Sequence, residues 1–187
     1  MEQQERTPPG QRVTEKFPIL HAGSVPKFDE EKWDFRVEGH VENPITLTWR
    51  EFQDLPKVVV TSDFHCVTGW SKLDNEWEGV RFKKVVELAR PKDGARFVTI
   101  VAEEGYTTSL PLEDMLDEDV LLATRFEGEP LPSEHGGPLR LVVPKKYAYK
   151  SAKWVRRIVF TEEKELGYWE KRGYSDSADP WKEERYS

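Results

Sequence analysis

Val58-Val59-Val60-Thr61-Ser62-Asp63-Phe64-His65-Cys66-Val67-Thr68-Gly69-Trp70-Ser71 opens on four β-branched residues and ends beyond a glycine. β-Branched side chains fit a pleated, half-buried surface, so Val58 to Asp63 reads as a strand that delivers Cys66 into the loop beyond its end. Outward from it, Trp33 to Val41, Phe97 to Ala102, Val120 to Phe126, Leu139 to Val143 and Trp154 to Phe160 read as further strands. Thr48-Trp49-Arg50-Glu51 is a capping box that starts a short helix, stopped near Leu55-Pro56. Phe82, Val85, Val86 and Ala89 lie at helical spacing, with Pro91 closing that helix, and Ser109 is placed as the cap of another short helix over Ser109 to Asp114. The segment up to about Lys32 carries Thr7-Pro8-Pro9-Gly10 and is expected to run extended over the surface rather than as a helix. The tail from Gly167, aromatic and polar, is expected to wrap the surface. Strands dominate and helices are short, so the class is α+β, and 187 residues without a visible repeat make one domain over 1–187.

The charges are unevenly placed. The chain has a net charge of -7, yet from Pro138 to Thr161 there is no Asp or Glu. That stretch holds Arg140, Lys145, Lys146, Lys150, Lys153, Arg156 and Arg157, whose +7 leaves -14 on the remainder. Two readings follow: a solvated basic face, or a pocket for one phosphorylated anion. Tyr147, Tyr149 and Trp154 interleave the cations, and Gly136-Gly137-Pro138 precedes them, where glycines would let a backbone approach a ligand and expose N–H groups. Long-range attraction to nucleic acid is opposed by the acidic remainder, so a small anion fits better than a polymer.

Cys66 is the single cysteine. It forms no internal disulfide and no Cys-x-x-Cys-His haem site, and it is either a buried small hydrophobe or a thiolate ligand for a soft or redox-active metal. Trp33, Trp49, Trp77 and Trp169 read as core or groove residues rather than a base-stacking platform. Apolar runs fall far short of the ~20 residues that span a bilayer, and the first residues lack a signal-peptide core. A reducing cytoplasm is the expected compartment, or the periplasm if a leader has been removed.

Several ordered motifs together resemble the sulfite-oxidase-type molybdopterin-binding family. They are Phe64 to Ser71, Gly128-Glu129-Pro130-Leu131-Pro132, His135 to Pro144, Lys146-Tyr147, and Lys150-Ser151-Ala152-Lys153-Trp154, within a match from about Phe17 to Phe160. The resemblance implies a strand-rich fold and one molybdenum–molybdopterin (Mo-MPT) cofactor, with Cys66 as the metal ligand. It implies His135, Arg140, Ser151, Ala152 and Lys153 as cofactor contacts, Tyr106 as an active-site tyrosine, and His21 on an N-terminal segment that approaches the cofactor. His65 would point to the opposite face of its strand. Sulfite oxidases of animals and plants carry arginines soon after the cysteine and in the N-terminal motif; here those regions read Val67-Thr68-Gly69-Trp70-Ser71 and Ile19-Leu20-His21. The segment after Cys66 is more similar to bacterial methionine sulfoxide reductase catalytic subunits, although His135 stands where those have Asn. The implied activity is two-electron oxygen-atom transfer on a small substrate such as a sulfoxide or related oxyanion, with a separate electron-transfer partner. A non-catalytic molybdopterin carrier is the alternative.

Overall fold

The computed structural model describes residues 2–187. In chain order the elements are α1 (Glu2–Glu5), β1 (Arg12–Val13), β2 (Asp34–Gly39), β3 (Ile45–Thr48), α2 (Trp49–Gln53), β4 (Val58–His65), β5 (Trp70–Arg81) and α3 (Phe82–Ala89). They continue as β6 (Phe97–Ala102), β7 (Thr107–Pro111), β8 (Leu121–Phe126), β9 (Glu129–Pro130), β10 (Arg140–Val142) and β11 (Val155–Thr161), with 3₁₀ turns between several of them. One sheet runs β1-β5-β8-β10, with β4 added on β5 and β9 on β8; the other runs β3-β2-β11-β6-β7. Pairing is antiparallel except for β1 with β5 and β11 with β2. The strand-rich mixed sheets with few, short helices are those of the α+β class.

Alternation along the strands decides which side each residue serves, since successive side chains point to opposite faces. Val80, Leu122 and Leu141 of the first sheet join Phe35, Val37, Ile100 and Ile158 of the second in the main core. Their neighbours Trp77, Leu121, Ala123 and Val142 form a second cluster with Phe64, Cys66 and Trp70. Cys66 therefore lies on the far face of the first sheet. Each fully buried Leu or Phe contributes about 1.5–3 kcal/mol, against about 0–1 kcal/mol for an exposed ion pair, so these two clusters hold the fold.

The capping box of α2 forms, with Glu51 N–H donating to Thr48 Oγ1 at 3.2 Å and Thr48 N–H to Glu51 Oε1 at 3.1 Å. The helix expected through Phe82 and Ala89 is α3; it stops at Arg90, which takes a left-handed φ of 50° before Pro91. Ser109 caps no helix. It sits in β7 opposite Thr99, because the Thr107-Thr108-Ser109 run completes the ladder with β6, and the 3₁₀ turn begins only at Leu112 after Pro111. The N-terminal segment departs from an extended path at α1, a single helical turn. Among the described residues no helix is long and apolar enough to cross a membrane.

Candidate active site

β4 continues two residues beyond Asp63, to His65, and the chain then turns through Cys66 to Gly69. Gly69 N–H donates to the Cys66 carbonyl at 3.0 Å, and Cys66 N–H donates to the Trp70 carbonyl at 2.9 Å. Gly69 holds φ of 104°, a region that L side chains resist. Cys66 is 8% exposed, with its Sγ 3.1 Å from Thr68 Oγ1. His65 turns the other way and is buried, with Nδ1 2.7 Å from Ser71 Oγ; burial lowers its pKa and keeps the ring neutral.

Cys66 lines a cavity of about 340 Å³ together with Tyr106, Arg140, Ser151, Lys153 and His21. The strand ends and loops of both sheets thus bring together residues far apart in sequence. His135 and Ala152 are not in the cavity wall. The His135 ring packs on Phe17 at 4.3 Å while its carbonyl accepts from Arg140, and Ala152 is buried in the main core with its carbonyl accepting from Leu141 N–H. Burial, then Lys153 and Arg140, lower the His135 pKa, and its Nδ1 is buried without a partner among the described residues.

The seven cations of the acid-free run separate into two groups. Lys145 and Lys146 pair with Asp114, Lys150 with Glu170 and Asp176, Arg156 with Asp34 and Glu103, and Arg157 with Glu38. Among the described residues, Arg140 and Lys153 pair with no carboxylate. Arg140 is 1% exposed; it donates to the carbonyls of His135 at 2.8 Å, Ser151 at 2.9 Å and Leu141 at 3.4 Å, and lies over the Phe64 and Trp77 rings. Desolvation pulls its pKa down to about 9. Lys153 Nζ donates to the Leu20 carbonyl at 2.9 Å and the Glu134 carbonyl at 2.8 Å. Desolvation, with Arg140 adding repulsion, pulls its pKa down to about 7. Two basic side chains therefore face one cavity with no carboxylate in contact, since Glu103 in the same wall is taken by Arg156; Lys153 gives up its proton near pH 7 in the cofactor-free protein, and an anion arriving there would favour its charged form.

Gly136 and Gly137 make that juxtaposition possible, but not by opening their N–H groups to a ligand. Those groups donate to Ser133 and Pro132 carbonyls. A Cβ on Gly136 would come within 3.0 Å of the Arg140 and Lys153 side chains, and one on Gly137 within 2.0 Å of the Leu131 carbonyl. The glycines let the two cations share one turn.

Half of the remaining wall is aromatic, and Glu103, paired with Arg156, is also in it; Tyr149 comes from the cationic run and Trp169 takes the groove position expected of it, whereas the sequence does not single out Phe17 and Tyr174 as wall residues. Trp169 and Tyr174 belong to the tail, which folds back as Tyr168 N–H donates to the Thr107 carbonyl at 2.8 Å and as Glu170 is buried against Lys150. The Tyr106 hydroxyl donates to the Tyr149 carbonyl. Burial raises the Tyr106 pKa well above that of an ordinary phenol, so it keeps its proton at neutral pH.

A pH dependence follows from Lys153. Its folded pKa lies below its unfolded value of 10.5, so between about pH 7 and 10.5 the unfolded chain binds more protons and stability rises with pH. In cofactor-free protein this contribution is fully present above 10.5 and lost as pH falls through about 7. Thermal melts from pH 7 to 9 should show a rise in wild type that is reduced in Lys153→Met; equal slopes would contradict the assignment.

A sequence profile described as the oxidoreductase molybdopterin binding domain matches residues 22–169. The chain is 48% identical over 187 residues to the uncharacterized oxidoreductase YuiH of Bacillus subtilis (strain 168), covering 100% of this chain and 94% of that protein. It is 29% identical over 170 residues to a putative protein-methionine-sulfoxide reductase subunit, YedZ1, of Azospira oryzae, covering 89% of this chain and 64% of that one. It is 28% identical over 160 residues to the protein-methionine-sulfoxide reductase catalytic subunit MsrP of Campylobacter jejuni, covering 76% of this chain and 54% of that one. The fold superimposes on the sulfane dehydrogenase SoxCD from Paracoccus pantotrophus with a TM-score of 0.69 at 23% identity, over 76% of this chain and 41% of the other. Because the profile spans well over half of the chain, and a relative at nearly half identity spans all of it, this protein belongs to the molybdopterin-binding oxidoreductases of the sulfite oxidase family.

Proposed function

We propose that the chain is a mononuclear molybdenum enzyme that exchanges one oxygen atom with a small substrate. Cys66 is the protein's thiolate ligand, and Arg140 and Lys153 hold the anionic part of the molybdopterin. The observation that carries this reading is the pairing pattern: five of seven clustered cations meet carboxylates, while the remaining two line the same cavity as the single thiol. The residues present fit the group. A thiolate suits a soft metal, a guanidinium and an amine that no carboxylate contacts suit a phosphate, and the Ser151 carbonyl and hydroxyl fix the turn between them by accepting from Arg140 and from Val143 N–H at 2.9 Å each.

When bound, the molybdenum–pterin group supplies the two-electron redox change and the oxygen exchange, and the protein sets orientation, charge and access. Thr68 Oγ1, at 3.1 Å, can donate to the Cys66 sulfur. Tyr106 remains a hydroxyl donor at neutral pH, held in the wall by the Tyr149 carbonyl, from which it can turn toward a substrate oxygen. Phe17, Trp70, Trp154, Trp169 and Tyr174 exclude water and strengthen every charge interaction inside. His21 stands at the mouth, its Nδ1 3.0 Å from the Gly23 carbonyl and its ring beside Trp154, and is the remaining candidate for a cofactor contact.

The finer substrate reading favours a sulfoxide over sulfite. Arg140 is the single arginine among the described residues of the cavity wall, and it is buried behind carbonyls, so no arginine cluster meets an oxyanion. Aromatic side chains instead suit the apolar substituents of an organic sulfoxide and the thioether it becomes, each thioether–aromatic contact being worth about 0.3–1.5 kcal/mol. The distant similarity to two methionine-sulfoxide reductase proteins, at 29% and 28% identity, is in line with the same choice, and that to nitrate reductases at 29% and 28% makes nitrate a further substrate to test. The proposed electron source is a redox group outside residues 1–187, which hold one cysteine and no haem-attachment motif. The test is to reduce loaded protein and add sulfoxides, N-oxides, nitrate or sulfite separately. Reoxidation by a sulfoxide, followed in the metal's absorption, is the expected result; no reoxidation by any of them would leave a carrier.

A further inference from the structure

The family profile spans residues 22–169, yet the turn that presents Cys66 is held from beyond both ends of that span. From the N-terminal side, Gln11 Nε2 donates to the Cys66 carbonyl at 2.9 Å and to the Trp70 carbonyl at 3.1 Å. β1 adds Arg12 N–H to the Gly69 carbonyl at 2.9 Å and Thr14 N–H to the Ser71 carbonyl at 2.8 Å. From the C-terminal side, Arg185 Nη1 donates to the Val67 carbonyl. Its Nη2 donates to Gln11 Oε1 at 3.2 Å and to the Pro9 carbonyl at 3.3 Å, so the two ends are also tied to each other. The guanidinium lies over the Tyr147 ring at 5.2 Å, which fixes its height above the turn. Gly10 clears the approach, since a Cβ there would stand 2.6 Å from Arg185 Nη2.

A short turn with a left-handed glycine has few internal hydrogen bonds with which to hold one conformation. Here the carbonyls of Cys66, Val67, Gly69 and Trp70 all accept donors from outside the family span, so the backbone that aims the thiol is fixed from two sides. We propose that Gln11 and Arg185 are positioning residues for Cys66, forming a clamp in which both chain ends set the direction of the thiol. The proposal rests on the reading of Cys66 as the metal ligand, because only then does the aim of the sulfur bear on the reaction. Neither residue touches the reacting atoms; each acts through the Cys66 turn, as outer partners orient metal ligands elsewhere.

The single cysteine makes the test specific. Full-length, cofactor-free protein is treated with iodoacetamide, and the rate of the one possible alkylation is read by intact mass for wild type, Gln11→Ala, Arg185→Ala and Arg185→Lys. Arg6→Ala is the control: it cuts the N-terminal arm's ion pairs with Asp63 and Asp74 without touching the turn. Loss of one or two such hydrogen bonds should speed alkylation about five- to tenfold and accelerate amide exchange over residues 66–70, with Arg185→Lys recovering most of the effect and Arg6→Ala unchanged. Wild-type alkylation and exchange in both alanine variants would overturn the clamp. So would an equal increase in Arg6→Ala, which would mark general loosening; thermal melts of each variant show that the folded state is being read. Since no cofactor is present, a failed clamp leaves the ligand reading to molybdenum content, and a failed ligand reading leaves the alkylation result intact.

Discussion

Glu170→Ala is expected to lower the folding stability by about 3–5 kcal/mol, the effect of leaving a buried charge without its partner. Lys150 and Glu170 are each 1% exposed in their side chains and meet at 2.6 Å. Lys150 Nζ also donates to the Ser109 carbonyl at 2.7 Å, and Asp176 stands at 3.3 Å, partly exposed. Removing Glu170 strips the ammonium of its close counter-charge and leaves the Thr108 hydroxyl without its acceptor at 2.6 Å. Urea unfolding measures the loss. A Lys150→Met, Glu170→Met double variant should recover most of it, because desolvating the pair costs nearly as much as the pair returns. A loss under about 1 kcal/mol in Glu170→Ala would show that Asp176 alone compensates Lys150. The network also bears on the site, since it anchors the tail that carries Trp169 and Tyr174 into the cavity wall.

Lys153→Ala and Arg140→Ala are each expected to weaken molybdopterin retention by about 10- to 100-fold, the loss of one charge-assisted interaction of about 1.5–3 kcal/mol. Their effects on cofactor-free protein should differ. Lys153 gives up two hydrogen bonds to carbonyls but relieves repulsion with Arg140, so its removal should be close to neutral for the fold. Arg140 satisfies three carbonyls while fully buried, so its removal should destabilise. Arg157→Ala, which breaks a half-exposed pair with Glu38, should change neither retention nor stability beyond about 0.5 kcal/mol. Equal retention in all three would reduce the basic run to a solvated face. Pterin released after desalting, measured by fluorescence, reads the result.

The parts of the molecule that were legible in the sequence were those with local causes. The β-branched run before Cys66, the Thr48/Glu51 capping box and the helical spacing of Phe82, Val85 and Ala89 each carry their own signal. The sequence assigns no strand over β5, because Lys72, Asp74, Glu76 and Glu78 occupy its open face and dilute the apolar signal of its twelve residues. Ser109 looked like a cap because the β6 ladder that claims it cannot be seen from five neighbouring residues. In the site, the thiol and the cationic run stood out as types, but which two cations lack carboxylates depends on partners 20 to 122 positions away. Trp169 reads as a core or groove residue, but its place with Tyr174 in this cavity was not legible for the same reason: Gly167 packs against the Thr107 carbonyl, where a Cβ would come within 2.4 Å, and no local pattern announces that approach. His135 shows the converse, a residue marked by its motif whose ring rests on Phe17 outside the cavity wall.

The most direct test of the account is the molybdenum and pterin content of protein purified from cells that make the cofactor, with Cys66→Ser prepared in parallel. About one molybdenum per chain in wild type, greatly reduced in Cys66→Ser, is the predicted result for a metal held by one protein thiolate. Equal molybdenum in the two proteins, or neither metal nor pterin in wild type, would contradict it and return Cys66 to the status of a buried thiol.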